Sequence, residues 1–478
     1  MGSSIADRWR ELSGEKNWEG LLQPLDPDLR RYIIHYGQMA GAVGDLFNSR
    51  TRRRYASGEE LFSQACLVKG NRYEYRVSRS IYAGSERVDS AWIGYVAVAT
   101  DQGKRALGRR DILIAWRGTA TTSEWINNLQ VSQRPTASDL FPSQAEVKVH
   151  RGFHSLFTGT KPDSTHNKTS AREQVRVEVA KLLNRYKAED ISITVTGFSL
   201  GAALATLTAM DIVTHGYNKP PNGEPFMVTT FTFGGPRVGN DGLARVFDTL
   251  GLENLRLLRI KNMKDGIPDH PSSGYTIVGK ELIVDTSRSN YLKQGHLARN
   301  SFSGRGAGYQ TLCWVLLLGS ILYIVRGERN IRRDRDAGEY QDIGKDQDGC
   351  DLITISEDGV GVGVGDGDEG GMFKDVFTCH NMDVYLHGVA IKDIQVNTPI
   401  DQLDHDITLV NKHSSRVRDD YEFPPNWWAG ENRPRMVQRD DGRWIRRRDV
   451  SFLLSIAYWF DLEDILYRCI NWSSGQGC

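Results

Sequence analysis

The sequence predicts an α/β fold, a mostly parallel sheet covered by helices. Between about residues 90 and 285, strand-like and helix-like segments alternate, the pattern of parallel strands joined by helical crossovers. One strand, ISITVTG at 191–197, runs through GFSLGAA directly into LGAALATLTAMDIVTH, a helix of small residues. The chain of 478 residues, with eleven Trp and eighteen Tyr among its 39% hydrophobic residues, is long enough to bury the core such a sheet needs.

In chain order, the first forty residues lack an apolar run behind a basic start and are too acidic for a typical transit peptide. A globular domain is expected to begin almost at once, in the cytoplasm. MGSSIA has no Ser or Thr at its sixth position, a poor match for myristoylation. DSAWIGYVAVAT (89–100) and RDILIAWRGT (110–119) are expected as buried strands. AREQVRVEVAKLLNRYK (171–187) places Val175, Val179, Leu182, Leu183 and Tyr186 at helical spacing. FMVTTFTFGGPRVG (226–239) and NLRLLRIKN (254–262) are two further strands. No internal repeat is evident.

Residues 296–375 break this pattern. TLCWVLLLGSILYIV is apolar for about fifteen residues, a charged stretch follows, and GVGVGVGDGDEGG closes it. The apolar run is short of the roughly 20 residues that a membrane span needs. An irregular insertion is expected, disordered or translated from non-coding sequence. Residues 449–478 form an apolar-rich extension with no evident chemistry. Sixty basic residues cancel sixty acidic ones, which excludes a global field for nucleic acid. The six cysteines (66, 313, 350, 379, 469, 478) show no zinc-like spacing and are expected as free thiols.

The chemistry centres on Ser199. An attacking serine needs an exposed oxygen beside backbone amides, and a strand–turn–helix elbow supplies both at the cost of a strained backbone. Strand and helix can close on it only if their junction residues are small. Gly197, Phe198, Ser199, Leu200 and Gly201 stand between such a strand and such a helix. A serine also needs a base and an orienting acid, in the order Ser, acid, His for this architecture. The strand LRLLRI ends in KNMKDGIPDHP, which offers Asp265, first after the strand, and Asp269 in a turn. For the base, His270, His296, His380, His387, His405 and His413 all follow Ser199. His380 and His387 fall on one face of an expected helix, and order alone admits either.

WRGTATTSEWINNL, VHRGFHSLF, VTGFSLGAALATL, TFGGPRVGN, RIKNMKDGIPDHP, HNMDVYLHGVA and PPNWWAGENRPRMVQRDDGRW occur in that order. Together they resemble the plant phospholipase A1 family, cytosolic class II subgroup, among the class 3 (fungal-type) lipases. The resemblance implies an α/β-hydrolase fold, with a lipase domain over 1–295 resumed at 376–448 after the insertion. It implies Ser199 as nucleophile, Asp265 as acid and His380 as base. The backbone N–H groups of Thr119 and Leu200 would be the oxyanion donors, and ATTSEWINNLQ a lid whose Trp125 and Ile126 meet lipid. The implied reaction is cleavage of the sn-1 ester of glycerophospholipids at a membrane or micelle surface. It involves no metal, no organic cofactor and no stable protein partner. A galactolipid or monoacylglycerol lipase, or a silent lipid-binding protein with His380 displaced by the insertion, are the rivals. The family commonly has His where Phe198 stands, and only a short connection in place of 296–375.

Overall fold

β-Branched and aromatic runs become strands where both of their faces can be buried, and the central ones here are buried along almost their whole length. In the computed structural model, seven strands form one sheet in the order in which the chain makes them. β1 (Tyr75–Ala83), β2 (Ala91–Ala99) and β3 (Arg110–Trp116) pair antiparallel. β3 then continues in parallel through β4 (Ile191–Phe198), β5 (Met227–Phe233), β6 (Leu255–Asn262) and β7 (Lys280–Val284). The fold is that of an α/β-hydrolase. The structure describes most of residues 5–293 and 379–447. Segments 120–136, 294–378 and 448–478, with some shorter stretches, lie outside the described residues. That places the expected insertion at 296–375 and the extension at 449–478 outside them.

Five of these strands coincide with those expected from the sequence; β1 and β7 do not stand out there. Both are edge strands, half-exposed on one side, so neither carries the unbroken apolar run that marks a central strand. Helix α1 (Pro27–Asp45) is also absent from the sequence reading. Its start is nevertheless written in the chain: Asp26 accepts from the N–H groups of Asp28 and Leu29, and Pro27 opens the first turn.

The helices cover both faces. On β3, Ile112, Ile114 and Trp116 point into one core while Leu113 and Ala115 point into the other. The first core takes the buried sides of α3 (Arg151–Thr158), α4 (Ala171–Arg185), α5 (Leu200–Thr214) and α6 (Asp241–Gly251). A short α2 (Asp101–Leu107) precedes β3. The second core takes α1 and α7 (Met382–Ala390), with Tyr36 of α1 stacked on Phe231 of β5 at 5.2 Å. Residues 400–447 wrap beside α1, where Lys412 pairs with Asp45 at 2.7 Å and Arg31 with Asp404 at 3.0 Å. Among the described residues no helix is long and apolar enough to cross a membrane, and Cys66 is a free thiol.

Beneath α1 the second core holds a charge. Arg109 and Asp111 are both fully buried, 3.6 Å apart. Asp111 accepts from the hydroxyls of Tyr75 (2.7 Å), Tyr36 (2.9 Å), Ser192 (2.6 Å) and Thr194 (2.7 Å). Arg109 donates to Ser192, Tyr36 and the Leu107 carbonyl. Removing one partner leaves the other charged and dry. Asp111→Ala is therefore expected to cost about 3–5 kcal/mol of stability, read as a lower denaturation midpoint. A loss below 1 kcal/mol would mean that the pair is not held in this way.

Candidate active site

The elbow forms where the sequence places it. Ser199 joins the end of β4 to the start of α5 with φ 56° and ψ −120°, a left-handed conformation that costs a non-glycine residue about 1–3 kcal/mol. Its N–H donates to the Phe233 carbonyl at 2.9 Å, which helps hold the turn. The flanking glycines have a steric reason. A methyl on Gly197 would stand 2.1 Å from the Gly201 carbonyl oxygen, and one on Gly201 would stand 2.4 Å from that of Trp116. The Ser199 hydroxyl makes no capping bond to α5, which leaves it for a partner across the cleft.

That partner is His380. Its Nε2 lies 2.8 Å from Ser199 Oγ, and its Nδ1 lies 2.6 Å from Asp265 Oδ2. Asp265 is 1% exposed, just beyond the end of β6, and its other oxygen accepts from the Ile267 N–H at 2.9 Å. His380 reaches the site from the residues leading into α7, with Gly234 against its ring. His380 is thus within hydrogen-bond reach of both Ser199 and Asp265.

Tyr385, unnoticed in the sequence, completes the chain. Its hydroxyl donates to Asp265 Oδ2 at 2.5 Å, and burial beside that carboxylate pushes its pKa well above the ordinary tyrosine value. It therefore stays protonated and keeps donating. Its signal lies in HNMDVY: five residues past His380, it is buried on the helix that His380 leads into.

The residues expected as oxyanion donors lie just beyond β3 and at the start of α5. Leu200 opens α5, so its N–H is one of the four without an intrahelical acceptor. The peptide joining Gly118 to Thr119 is held by Arg117, whose Nη1 donates to the Gly118 carbonyl at 2.8 Å. A methyl built on Gly118 would stand 3.4 Å from Ser199 Cβ, so this loop end touches the serine. The Thr119 hydroxyl is buried with no hydrogen-bond partner among the described residues, a feature that spacing does not reveal. Trp125 and Ile126 lie outside the described residues.

Residues 113–274 match the family model for lipase (class 3). Phospholipase A1-II 6 of Oryza sativa subsp. japonica is 36% identical over 471 residues, covering 93% of this chain and 95% of that protein. The chain belongs to the class 3 lipases, in the phospholipase A1-II group. It is 42% identical to Phospholipase A1-IIgamma of Arabidopsis thaliana over 320 residues, 62% of this chain and 76% of that one. Among solved structures, nonglycosylated Yarrowia lipolytica LIP2 lipase is 21% identical, with a TM-score of 0.40 over 55% of this chain and 81% of that chain. This class 3 lipase is a carboxylic ester hydrolase.

The remaining histidines and acids of the lipase have other partners or surroundings. His387 is fully buried, with Nε2 2.8 Å from Ser289 Oγ, and burial lowers its pKa to about 3. Asp269 pairs with Lys261 at 2.6 Å. His413 meets Asp45 at 2.8 Å, His405 is buried, and His270 is half-buried with its pKa lowered by desolvation. His296 lies outside the described residues. Among the described residues no group of three or more His, Cys, Asp or Glu is placed to hold a metal ion.

Tyr385→Phe removes one charge-assisted hydrogen bond, typically 1.5–3 kcal/mol. It is expected to lower kcat for ester hydrolysis roughly tenfold or more with little change in KM. Steady-state kinetics on a soluble ester check this; an unchanged kcat would show that the hydroxyl does not hold Asp265 for the reaction.

Proposed function

We propose that this lipase releases the sn-1 acyl chain of glycerophospholipids by acyl transfer through Ser199. The observation that carries the reading is the hydrogen-bonded run from Ser199 Oγ through His380 to Asp265, set on a strained elbow. His380 Nε2 takes the hydroxyl proton as Oγ attacks the ester carbon. The oxyanion is held by the N–H groups of Thr119 and Leu200, with the Thr119 hydroxyl as a third donor; each donor is worth about 3 kcal/mol. The intermediate collapses, His380 gives its proton to the departing lysolipid, and the acyl-enzyme forms. Water, deprotonated by His380, attacks the acyl-enzyme, and His380 returns that proton to Ser199 Oγ as the acyl–Oγ bond breaks and the fatty acid leaves. Asp265 keeps Nδ1 protonated and balances the imidazolium charge.

The phospholipid substrate and the sn-1 position rest on the names of relatives such as the phospholipases A1-II above. With that substrate, the lipase works at a membrane or micelle surface from the cytoplasm. The test uses mixed micelles of phosphatidylcholine carrying different labels at sn-1 and sn-2, beside galactolipid and monoacylglycerol. Preferential release of the sn-1 acid supports the reading. Dominant sn-2 release, or hydrolysis confined to the other two lipids, overturns it.

A further inference from the structure

We infer that Phe198 is a positioning residue whose ring face carries the His380 imidazole and favours the imidazolium formed during acyl transfer; this rests on the acyl-transfer reading above. The residue before the nucleophile ends β4, so its side chain leaves the sheet at the site itself. The Phe198 and His380 rings are stacked, with centroids 4.8 Å apart and planes inclined by 29°. Phe198 also presents itself to two other parts of the site. A methyl on Gly118 would stand 2.9 Å from Phe198 Cδ1, and the Tyr385 ring meets Phe198 edge-on at 6.1 Å and 72°. One phenyl ring thus touches the oxyanion loop, the base, and the tyrosine that holds the acid.

Two physical effects follow. The stack restricts rotation of the imidazole, which must keep Nδ1 on Asp265 and Nε2 on Ser199 together. The phenyl face is the negative end of the ring quadrupole, and a cation within about 6 Å of it is stabilised, more so when desolvated. Among the described residues the titratable groups recorded around the imidazole are these. Asp265 lies at Nδ1, Ser199 lies at Nε2, Tyr385 acts through Asp265, and Cys379 is the preceding residue. Gly234, which also packs on the ring at Cε1, adds no charge. The His380 side chain is 8% exposed and Asp265 1%, so little water competes with the phenyl face for the charge. A leucine would fill much of the same space and supply neither a flat contact nor a quadrupole.

The test compares wild type, Phe198→Leu and Phe198→Tyr by the pH profile of kcat/KM on a soluble ester, with thermal denaturation run beside it. Phe198→Leu is expected to lose about five- to tenfold in kcat/KM, mostly in kcat. Its acidic limb should move down by about half a pH unit, because the imidazolium has lost its ring partner. Phe198→Tyr keeps the aromatic face and should restore both within about twofold. An acidic limb that stays in place in Phe198→Leu overturns the inference, whether or not rate or stability falls. Wild-type protein that releases no acid at all overturns the acyl-transfer reading instead.

Discussion

Ser199→Ala is expected to lower kcat by about 10⁵- to 10⁶-fold and to abolish covalent labelling by a fluorophosphonate probe. The size of the effect follows from the arrangement. Oγ is the atom that would become acylated, and no other hydroxyl is hydrogen-bonded to His380 among the described residues. The fold should survive. The described hydrogen bond of Oγ is the one to His380, and the alanine keeps the Cβ and therefore the same backbone strain at φ 56°. The denaturation midpoint is thus expected within about 2 °C of wild type, a shift below roughly 0.5 kcal/mol. Labelling that persists in the variant would place the nucleophile elsewhere and remove the basis for the proposed mechanism.

His380→Ala should cost about 10⁴-fold or more in kcat, whereas His387→Asn should leave kcat within a few-fold and act on stability. The two histidines share a segment and differ in surroundings. His380 bridges Ser199 and Asp265, while His387 is sealed inside the second face of α7 with Ser289 at 2.8 Å. The pH dependence separates them further. Burial lowers the His387 pKa to about 3, while in the unfolded chain a histidine titrates near 6.5. The unfolded state therefore binds a proton below about pH 6.5 that the folded state refuses. The stabilisation is fully present above pH 6.5 and is lost as pH falls toward 3, by up to about 1.4 kcal/mol per pH unit. His35, also lowered to about 3, and His150, lowered to about 4, add slopes of the same sign. In His387→Asn the decline of stability between pH 6.5 and 4 should be shallower by one proton's share. Loss of activity in folded His387→Asn with retention in His380→Ala would reverse the assignment.

How much of this was legible in the chain depended on whether the cause was local. Buried central strands announce themselves because both faces need apolar residues, so β2 to β6 were readable. The edges β1 and β7 were not, because half-exposed residues follow no such rule. Helix α1, by contrast, has both its cap, at Asp26–Pro27, and its apolar spacing in the sequence. Asp265 stood out over Asp269 by following the strand directly, and the ion pair of Asp269 with Lys261 accounts for the loser.

By itself the sequence determined the elbow: small residues at 197 and 201, a strand before and a helix after, all set by backbone sterics within a few residues. It determined the order of serine, acid and histidine as well. It left the base open between His380 and His387, and resemblance to a family decided for the first. Tertiary structure brings His380 to both partners, in contacts that close over 181 residues to Ser199 and 115 to Asp265, distances at which no local pattern operates. The same holds for Tyr385 on Asp265 and for Phe198 under the imidazole. Each is an ordinary aromatic in the chain, and becomes part of the site because β4, β6 and α7 bring the three rings and the carboxylate together.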